Sequence, residues 1–176
     1  MSYAIHRIRE EDWERLREIR LAMLRDTPTA FLESYAQALG RDEADWRMRA
    51  RRCEQTASDI GFAALDQAGA WVGTMRGYID PAGDAVLISA WVHPDHRGRE
   101  HGVAGLLLAA IVGWARQEAH AARLKLLVHQ DNARAQAFYR REGFTETGVT
   151  VPYELDPIAL EHEMARPLDD PASPPG

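Results

Sequence analysis

The chain has 176 residues, 45% of them hydrophobic and 27% charged, which suits one globular domain with a core of its own. A net charge of −6 argues against a nucleic-acid partner, and no apolar run is long enough to span a membrane. The single cysteine excludes an intrachain disulfide, and the N-terminal residues lack the apolar core of a signal peptide. We therefore expect a cytoplasmic protein with one domain over residues 1–168 and a disordered, proline-rich tail over residues 169–176.

The first third of the chain predicts one strand and three helical segments. Residues 3–8 alternate loosely, as in a short strand, and residues 11–24 carry apolar side chains at helical spacing. Thr27, which precedes a proline, predicts the start of a second helical segment that ends at Gly40. Asp42 predicts the N-cap of a third segment.

The middle of the chain predicts an antiparallel meander. Residues 60–65 and 71–79 have the composition of strands, and turns rich in Asp and Gly separate them from each other and from residues 86–92. The last stretch has too few polar residues to leave one face in water. We therefore expect residues 86–92 to lie in the centre of the sheet, buried on both faces.

The next predicted pair is a helix followed by a strand at residues 124–128. The crossover is long enough for this strand to run parallel to residues 86–92. The helix carries apolar residues on one stripe, namely Val103, Leu106, Leu107, Ala110, Ile111 and Trp114. Asp131 or Asn132 predicts the cap of a further helix, and the last strands are predicted at residues 144–149 and 160–164.

Two motifs carry the functional signal. The loop at residues 97–104 places glycines and arginines at a helix start, where backbone N–H groups can bind an anion. Asn132 opens the later helix, Tyr139 lies two turns further along it, and Gly143 suits its left-handed end. Each motif follows one strand of the predicted parallel pair, so both face the crevice at the carboxyl ends of these strands.

At these motifs the sequence resembles the GNAT superfamily of acetyl-CoA-dependent N-acetyltransferases. The loop signature of that family is Arg or Gln, two residues, Gly, one residue, and Gly or Ala; Arg99, Gly102 and Ala104 match it. Residues 132–144 resemble the later helix motif of the family, and the resemblance extends over residues 5–168. One departure is that Glu100 and the histidine after it lengthen the loop, or Glu100 replaces a glycine.

The resemblance implies an α/β fold in which helices cover both faces of a mixed sheet and the two parallel middle strands splay apart. Acetyl-CoA would be the cosubstrate, with its pantetheine arm between these strands and its pyrophosphate on the loop. The implied cofactor-binding residues are Trp91, Val92, His93, Arg97, Gly98, Arg99, Gly102, Val103, Ala104, Asn132, Ala135 and Tyr139. Either Arg97 or Arg99 could take the role of the family's arginine.

The implied reaction is direct transfer of the acetyl group to a primary amine of a small molecule or peptide in a ternary complex. Tyr139 is the predicted general acid, because a tyrosine (pKa about 10) can protonate a leaving thiolate (about 8.5). The general base stays open among Glu33, Tyr35, His93 and His129, with bulk water as a further choice.

The acceptor site is implied to include Phe31, Glu33 and Tyr35, which hold no charge cluster that names a substrate. We expect no metal, because the histidines lack ligand spacing. The oligomeric state stays open, although dimers are common in the family. The alternative to an enzyme is a non-catalytic acyl-CoA-binding or sensor domain of the same fold, since Glu100 would stand beside a pyrophosphate.

Overall fold

The computed structural model describes residues 2–28, 30–55 and 57–168, and over these residues the chain forms one seven-stranded mixed sheet with helices on both faces. The strands are β1 (Ala4–Arg7), β2 (Asp59–Leu65), β3 (Trp71–Ile79), β4 (Ala85–Val92), β5 (Arg123–His129), β6 (Thr145–Tyr153) and β7 (Asp156–Pro167). The helices are α1 (Trp13–Asp26), α2 (Tyr35–Leu39), α3 (Glu43–Arg52), α4 (Val103–Gln117) and α5 (Ala133–Arg141). The sheet order β1-β2-β3-β4-β5-β7-β6 puts β4 in the centre, as expected. The expected tail at residues 169–176 lies outside the described residues.

The sequence prediction is wrong for the start of the second helical segment. Thr27 ends α1 instead of opening a helix, because its N–H donates to the Met23 carbonyl (2.9 Å). The short helix α2 begins only after Ser34, whose hydroxyl accepts from the Gln37 N–H while the Gln37 side chain accepts from the Ser34 N–H. The capping box therefore decides where α2 starts, and Gly40 follows its end as predicted.

The third helix begins as predicted. The Asp42 carboxylate accepts a hydrogen bond from the Asp45 N–H (2.9 Å), which satisfies one of the free donors of the first turn of α3. Trp46, Ala50 and Cys53 are buried against the sheet and α1. Helices α1 and α3 thus cover one face of the sheet.

The predicted meander is confirmed, since β1 to β4 pair antiparallel in chain order. Helix α4 packs on the other face of β3, where Gly77 permits a close approach: a Cβ there would come 2.7 Å from the Trp114 ring. The predicted apolar stripe of α4 is wrong at Leu106, which is 43% exposed, whereas Leu108 is buried. Helix α4 is oriented so that Leu107, Leu108 and Ile111 face the core, which leaves Leu106 outside the buried stripe.

The parallel pairing of β4 with β5 is confirmed, but it is short. Only Ala85 with Leu124 and Val86 with Lys125 are paired, and beyond them the two strands separate. The joined end is held by the Lys125 ammonium, which lies 2.6 Å from Asp80 and 3.2 Å from Asp84.

A β-bulge accompanies the separation of the two strands. The register between β3 and β4 shifts at Met75, and Ser89 in β4 has a positive φ of 53°. A bulge bends its strand and increases the local twist, which helps to lead β4 away from β5. The middle strands therefore splay in the centre of the sheet. Among the described helices, none is long and apolar enough to cross a membrane.

Candidate active site

The gap between β4 and β5 presents backbone groups that no neighbouring strand satisfies. The His93 N–H donates to the Val72 carbonyl (2.8 Å), so the N–H and C=O of Val92 point away from β3; the C=O accepts from the Arg97 Nε (2.7 Å), and the N–H faces the gap. Backbone polar groups inside a sheet require partners. A slender group with amides of its own fits this edge, in the way that an added strand would.

The loop after β4 leads into a helix whose N-terminus is open. Gly102 stands at the N-cap with a positive φ of 67°, and it supplies no side-chain cap. The first backbone bond of α4 runs from the Leu106 N–H to the Gly102 carbonyl, which leaves the N–H groups of Val103 and Ala104 outside the helical ladder. Together with the helix dipole, these donors form a site suited to a phosphate.

The two arginines of the loop differ in their surroundings. The Arg97 Nε donates to the Val92 carbonyl (2.7 Å), and its guanidinium pairs with Asp26 at the end of α1. Asp26 also accepts from the Trp91 indole N–H (2.8 Å). The side chain of Arg97 is therefore committed between β4 and α1. Arg99 is exposed and has no hydrogen bond to another described residue, so the geometry favours Arg99 as the arginine free to meet an anion.

Glu100 lies at the rim of the loop, with its side chain 71% exposed. Its carboxylate rests against the α-carbon of Gly98, whose φ is 116°, and a Cβ at Gly98 would collide with it. His101 lies beneath, where its Nδ1 is 3.2 Å from the Tyr3 hydroxyl. Gly98 thus leaves room for the Glu100 carboxylate, and His101 anchors the loop to the residue before β1.

Helix α5 brings the second motif to the same edge of the sheet. The Asn132 side chain accepts from the Ala135 N–H (3.1 Å) and so caps α5, and Gly143 ends the helix region with a φ of 86°. Tyr139 is buried, with its ring centroid 5.2 Å from Phe138 and 5.5 Å from Phe144. Burial raises the pKa of Tyr139, which keeps the phenol protonated. Its hydroxyl has no hydrogen-bond partner among the described residues.

Glu33 is a poor candidate for the general base. It is 8% exposed, and its carboxylate accepts from Arg41 (2.6 Å), Arg49 (2.9 Å) and Arg20 (3.0 Å). Burial raises the pKa of Glu33, but these ion pairs outweigh burial and hold the pKa below its usual range. A carboxylate held by three guanidiniums has little affinity for a proton.

The other predicted acceptor residues, Phe31 and Tyr35, and the base candidates His93 and His129 are all partly exposed. The Phe31 ring lies 4.7 Å from the Arg20 guanidinium, and the Tyr35 hydroxyl accepts from Arg25. His93 accepts from the Asp95 N–H (3.3 Å), and His129 accepts from the Asp131 N–H (3.2 Å). Both imidazoles are partly exposed, so neither is closed off from a substrate.

Glu161 was not among the residues predicted from the sequence. Glu161 in β7 lies opposite His129 in the register between β5 and β7. Val128 is buried on the face that α4 covers, so these two side chains lie on the other face, which Trp91 and α1 share. Burial raises the pKa of Glu161, and His129 lowers it by less. A half-buried carboxyl with a raised pKa at the end of a middle strand is a reasonable proton acceptor. Only the register of β7 could have identified it.

Two cavities flank α1 on this face. One, of about 430 Å³, lies against the carboxyl end of β4 and is lined by Glu18, Trp71, Trp91 and His93 among others. The other, of about 60 Å³, lies beneath α1 and borders Ser89. The described residues contain no cluster of three or more His, Cys, Asp or Glu side chains that could hold a metal ion.

Comparison with known proteins agrees with this geometry. The model of the acetyltransferase (GNAT) family matches residues 6–144. A GNAT-family acetyltransferase from Streptococcus pneumoniae superimposes with a TM-score of 0.78 at 16% identity, covering 96% of this chain and 100% of that chain. The putative acetyltransferase YncA from Salmonella typhimurium, solved with its cofactor acetyl-CoA, gives 0.75 at 18% identity and covers 99% of both chains. The PaiA N-acetyltransferase from Thermoplasma acidophilum, in complex with coenzyme A, gives 0.73 at 18% identity, covering 95% of this chain and 99% of that chain. No curated protein matches the sequence.

Proposed function

The chain belongs to the GNAT family of acetyl-CoA-dependent acetyltransferases, and from this premise we propose that it acetylates a primary amine of a small molecule or peptide by direct attack in a ternary complex. The observation that carries the proposal is the splay of β4 from β5 beyond Val86. It leaves an unpaired strand edge that ends at an uncapped helix N-terminus. The strand edge can bind the amides of a pantetheine arm, and the anion site that follows it can bind a pyrophosphate. Acetyl-CoA carries these two groups in the same order.

The cofactor contacts are proposed as follows. Val92 supplies its backbone N–H to the pantetheine arm, Trp91 and His93 flank this group, and Asn132 and Ala135 border the arm from α5. Around the pyrophosphate the backbone of the loop supplies N–H donors and Arg99 supplies a charge. The residues proposed for this anion site are Gly98, Arg99, Gly102, Val103 and Ala104. Arg97 supports the site indirectly, because its side chain holds the carboxyl end of β4 against Asp26.

The chemistry supplied by acetyl-CoA is a thioester that a deprotonated amine can attack. A backbone N–H of residues 90–92 at the separated edge can stabilise the oxyanion that forms. Tyr139 is proposed to donate its proton to the departing thiolate, because it is the hydroxyl that the second motif brings to this edge of the sheet; its raised pKa makes the transfer uphill, so it requires a short distance to the sulfur. Glu161 is proposed to accept the proton of the amine, directly or through a water molecule, with His129 beside it.

Direct attack is favoured over an acyl-enzyme intermediate. Cys53 is the single cysteine, and it is buried with a thiol that lies 3.5 Å from the Arg49 carbonyl. Burial raises the pKa of the Cys53 thiol, so the thiolate that a nucleophile needs is disfavoured. The amine itself is therefore the nucleophile, and amine and acetyl-CoA must be bound together.

The test has two stages on the full chain. A thermal-shift titration with acetyl-CoA measures binding, because a ligand that binds only the folded state at about 100 times its Kd adds about 2.7 kcal/mol of stability. Release of the CoA thiol is then followed with a panel of primary amines. We expect stabilisation and amine-dependent release. Stabilisation without release by any amine would favour the sensor alternative, and no stabilisation at millimolar acetyl-CoA would overturn the proposal.

A further inference from the structure

The small cavity of about 60 Å³ beneath α1 has a lining unlike that of an apolar void. Arg20 from α1, Arg49 from α3 and Arg76 from β3 line it together with Trp46 and Ser89. A water molecule occupies about 30 Å³ in the liquid, so the cavity can hold a small planar group but not a whole substrate. The rest of any occupant must extend outside it.

The charges around this cavity do not balance. Arg20 and Arg49 both bind Glu33, and Arg41 binds the same carboxylate from outside the cavity. Glu33 is the shared carboxylate of these three guanidiniums, Arg41 also pairs with Asp45 (3.6 Å), and Arg76 adds a further positive charge. Arg49 and Arg76 both lower the pKa of Arg20, after burial as the main cause. The cavity therefore has a surplus of positive charge that suits an anion.

Two side chains that line the cavity carry a donor without an acceptor. The Nε of Arg76 and the indole N–H of Trp46 are buried without a hydrogen-bond partner among the described residues, and Trp46 is 1% exposed. A buried donor left without an acceptor destabilises the fold. Because both side chains line one cationic cavity, an occupant with an acceptor group is favoured there.

The cavity lies beside the proposed reaction site. Ser89, which lines it, is in the bulge of β4, two residues before Trp91 and on the strand whose free edge faces the gap. Side chains of α1 separate it from solvent on one side. An acceptor held here by one end would present its other end along β4.

We propose that this cavity binds the carboxylate of the acceptor, so that the substrate is an amine that also carries a carboxylate, as a free amino acid does. Arg76 offers a planar guanidinium that matches a carboxylate, and the Trp46 N–H adds a second donor. The inference rests on the proposed acetyltransferase function and narrows its substrate class. The carboxylate of a free amino acid and that of a peptide C-terminus share this chemistry, but a peptide places its amine much further away.

The first experiment compares matched acceptors on the full chain with acetyl-CoA. Free L-amino acids are assayed beside their carboxamides, with phosphoethanolamine and short peptides as further arms. We expect kcat/KM to be about tenfold or more higher for the carboxylates, as for loss of a charge-assisted hydrogen bond. The α-amine of a carboxamide is the more easily deprotonated, so amine reactivity alone predicts the opposite order. Equal rates, or a preference for phosphoethanolamine, would overturn the inference.

Single-residue variants test whether the preference for carboxylates arises at this cavity. Arg76→Gln and Trp46→Phe should raise KM for the carboxylates about tenfold while KM for the carboxamides stays within twofold. Arg41→Gln is the matched control, because Arg41 binds Glu33 but does not line the cavity, and the preference should survive it. Acetyl-CoA stabilisation of each variant reports folding. A preference that persists in Arg76→Gln, or disappears equally in Arg41→Gln, contradicts the assignment.

A binding measurement separates this inference from the proposed function. Calorimetry with CoA present compares N-acetyl amino acids with their carboxamides, and it needs no turnover. Acetyl-CoA binding with acetylation of amines but no carboxylate preference leaves the function standing and rejects the inference. Failure to bind acetyl-CoA rejects the proposed function. If N-acetyl amino acids bind in the presence of CoA and their carboxamides do not, the inference is retained even when no turnover is detected.

Discussion

The cofactor side and the acceptor side of the gap are built in different ways. On the cofactor side the chain offers mainly backbone groups, namely the free edge of β4 and the uncapped start of α4. On the acceptor side it offers side chains from three separate elements around Glu33 and the small cavity. In the proposed site, a constant cosubstrate meets geometry that a short motif can specify. The proposed acceptor would meet charges that only folding brings together.

The largest expected effect is a loss of stability when the ion pairs around Glu33 are broken. Glu33→Gln leaves three partly buried guanidiniums without their shared carboxylate, and it should lower the free energy of unfolding by about 3 kcal/mol. Urea denaturation measures this loss. Glu43→Gln removes an exposed pair with Arg47 and should cost less than about 0.5 kcal/mol. If the two variants are equally stable, the cluster around Glu33 contributes little.

The same cluster predicts a pH dependence. The pKa of Glu33 is lowered in the folded state, so its contribution to stability is complete above the ordinary pKa of glutamate, about 4.3, and is lost as the pH falls through the lower folded value. The difference in unfolding free energy between wild type and Glu33→Gln should be constant near neutrality and shrink below about pH 4. A difference that grows in acid would contradict the lowered pKa.

A change at Tyr139 should lower the rate of acetyl transfer without weakening acetyl-CoA binding. Tyr139→Phe removes only the phenolic oxygen, so kcat should fall about 100-fold while acetyl-CoA still stabilises the fold to the same extent. Steady-state kinetics and a thermal-shift titration measure the two effects. Tyr78→Phe in β3 is the control and should retain kcat. Unchanged turnover in Tyr139→Phe would remove the general-acid assignment.

A smaller effect is expected for proton removal from the amine. Glu161→Gln should lower kcat/KM roughly tenfold, because bulk water can partly replace a general base. Since burial raises the pKa of Glu161, wild-type activity should fall as the pH drops through that raised pKa, and the variant should lack this limb of the profile. Glu163→Gln on the same strand is the control. An acidic limb that is identical in wild type and Glu161→Gln would exclude this role.

The smallest effect belongs to the lengthened loop. Glu100 is exposed, so its repulsion of a bound pyrophosphate is screened by water, and Glu100→Gln should tighten acetyl-CoA binding only two- to threefold, roughly as for a surface charge. The gain should vanish at high salt. Glu14→Gln, in the first turn of α1, is the control for net charge. A gain above about tenfold would mean that Glu100 blocks the site and that the cofactor side is not built from backbone alone.

Local patterns were enough for much of the fold. Asp42 caps α3, Asn132 caps α5 and Gly143 takes the left-handed position, because each depends on a few neighbouring residues. Thr27 failed as a helix start because two competing local signals lay close together, and the capping box at Ser34 prevailed. Leu106 failed because the rotation of α4 depends on which side chains meet Gly73 and Gly77 of β3.

Short-range spacing and the carboxyl-end rule for parallel strands were enough to predict the family, the order of strands in the meander, and the loop and helix at the gap. The tertiary structure was needed to show that Arg97 pairs with Asp26, that Glu161 lies opposite His129 in neighbouring strands, and that Arg76 and Trp46 line one cavity. These contacts join residues far apart in the chain. Their free energy depends on burial and on partners, which no local pattern of residues encodes.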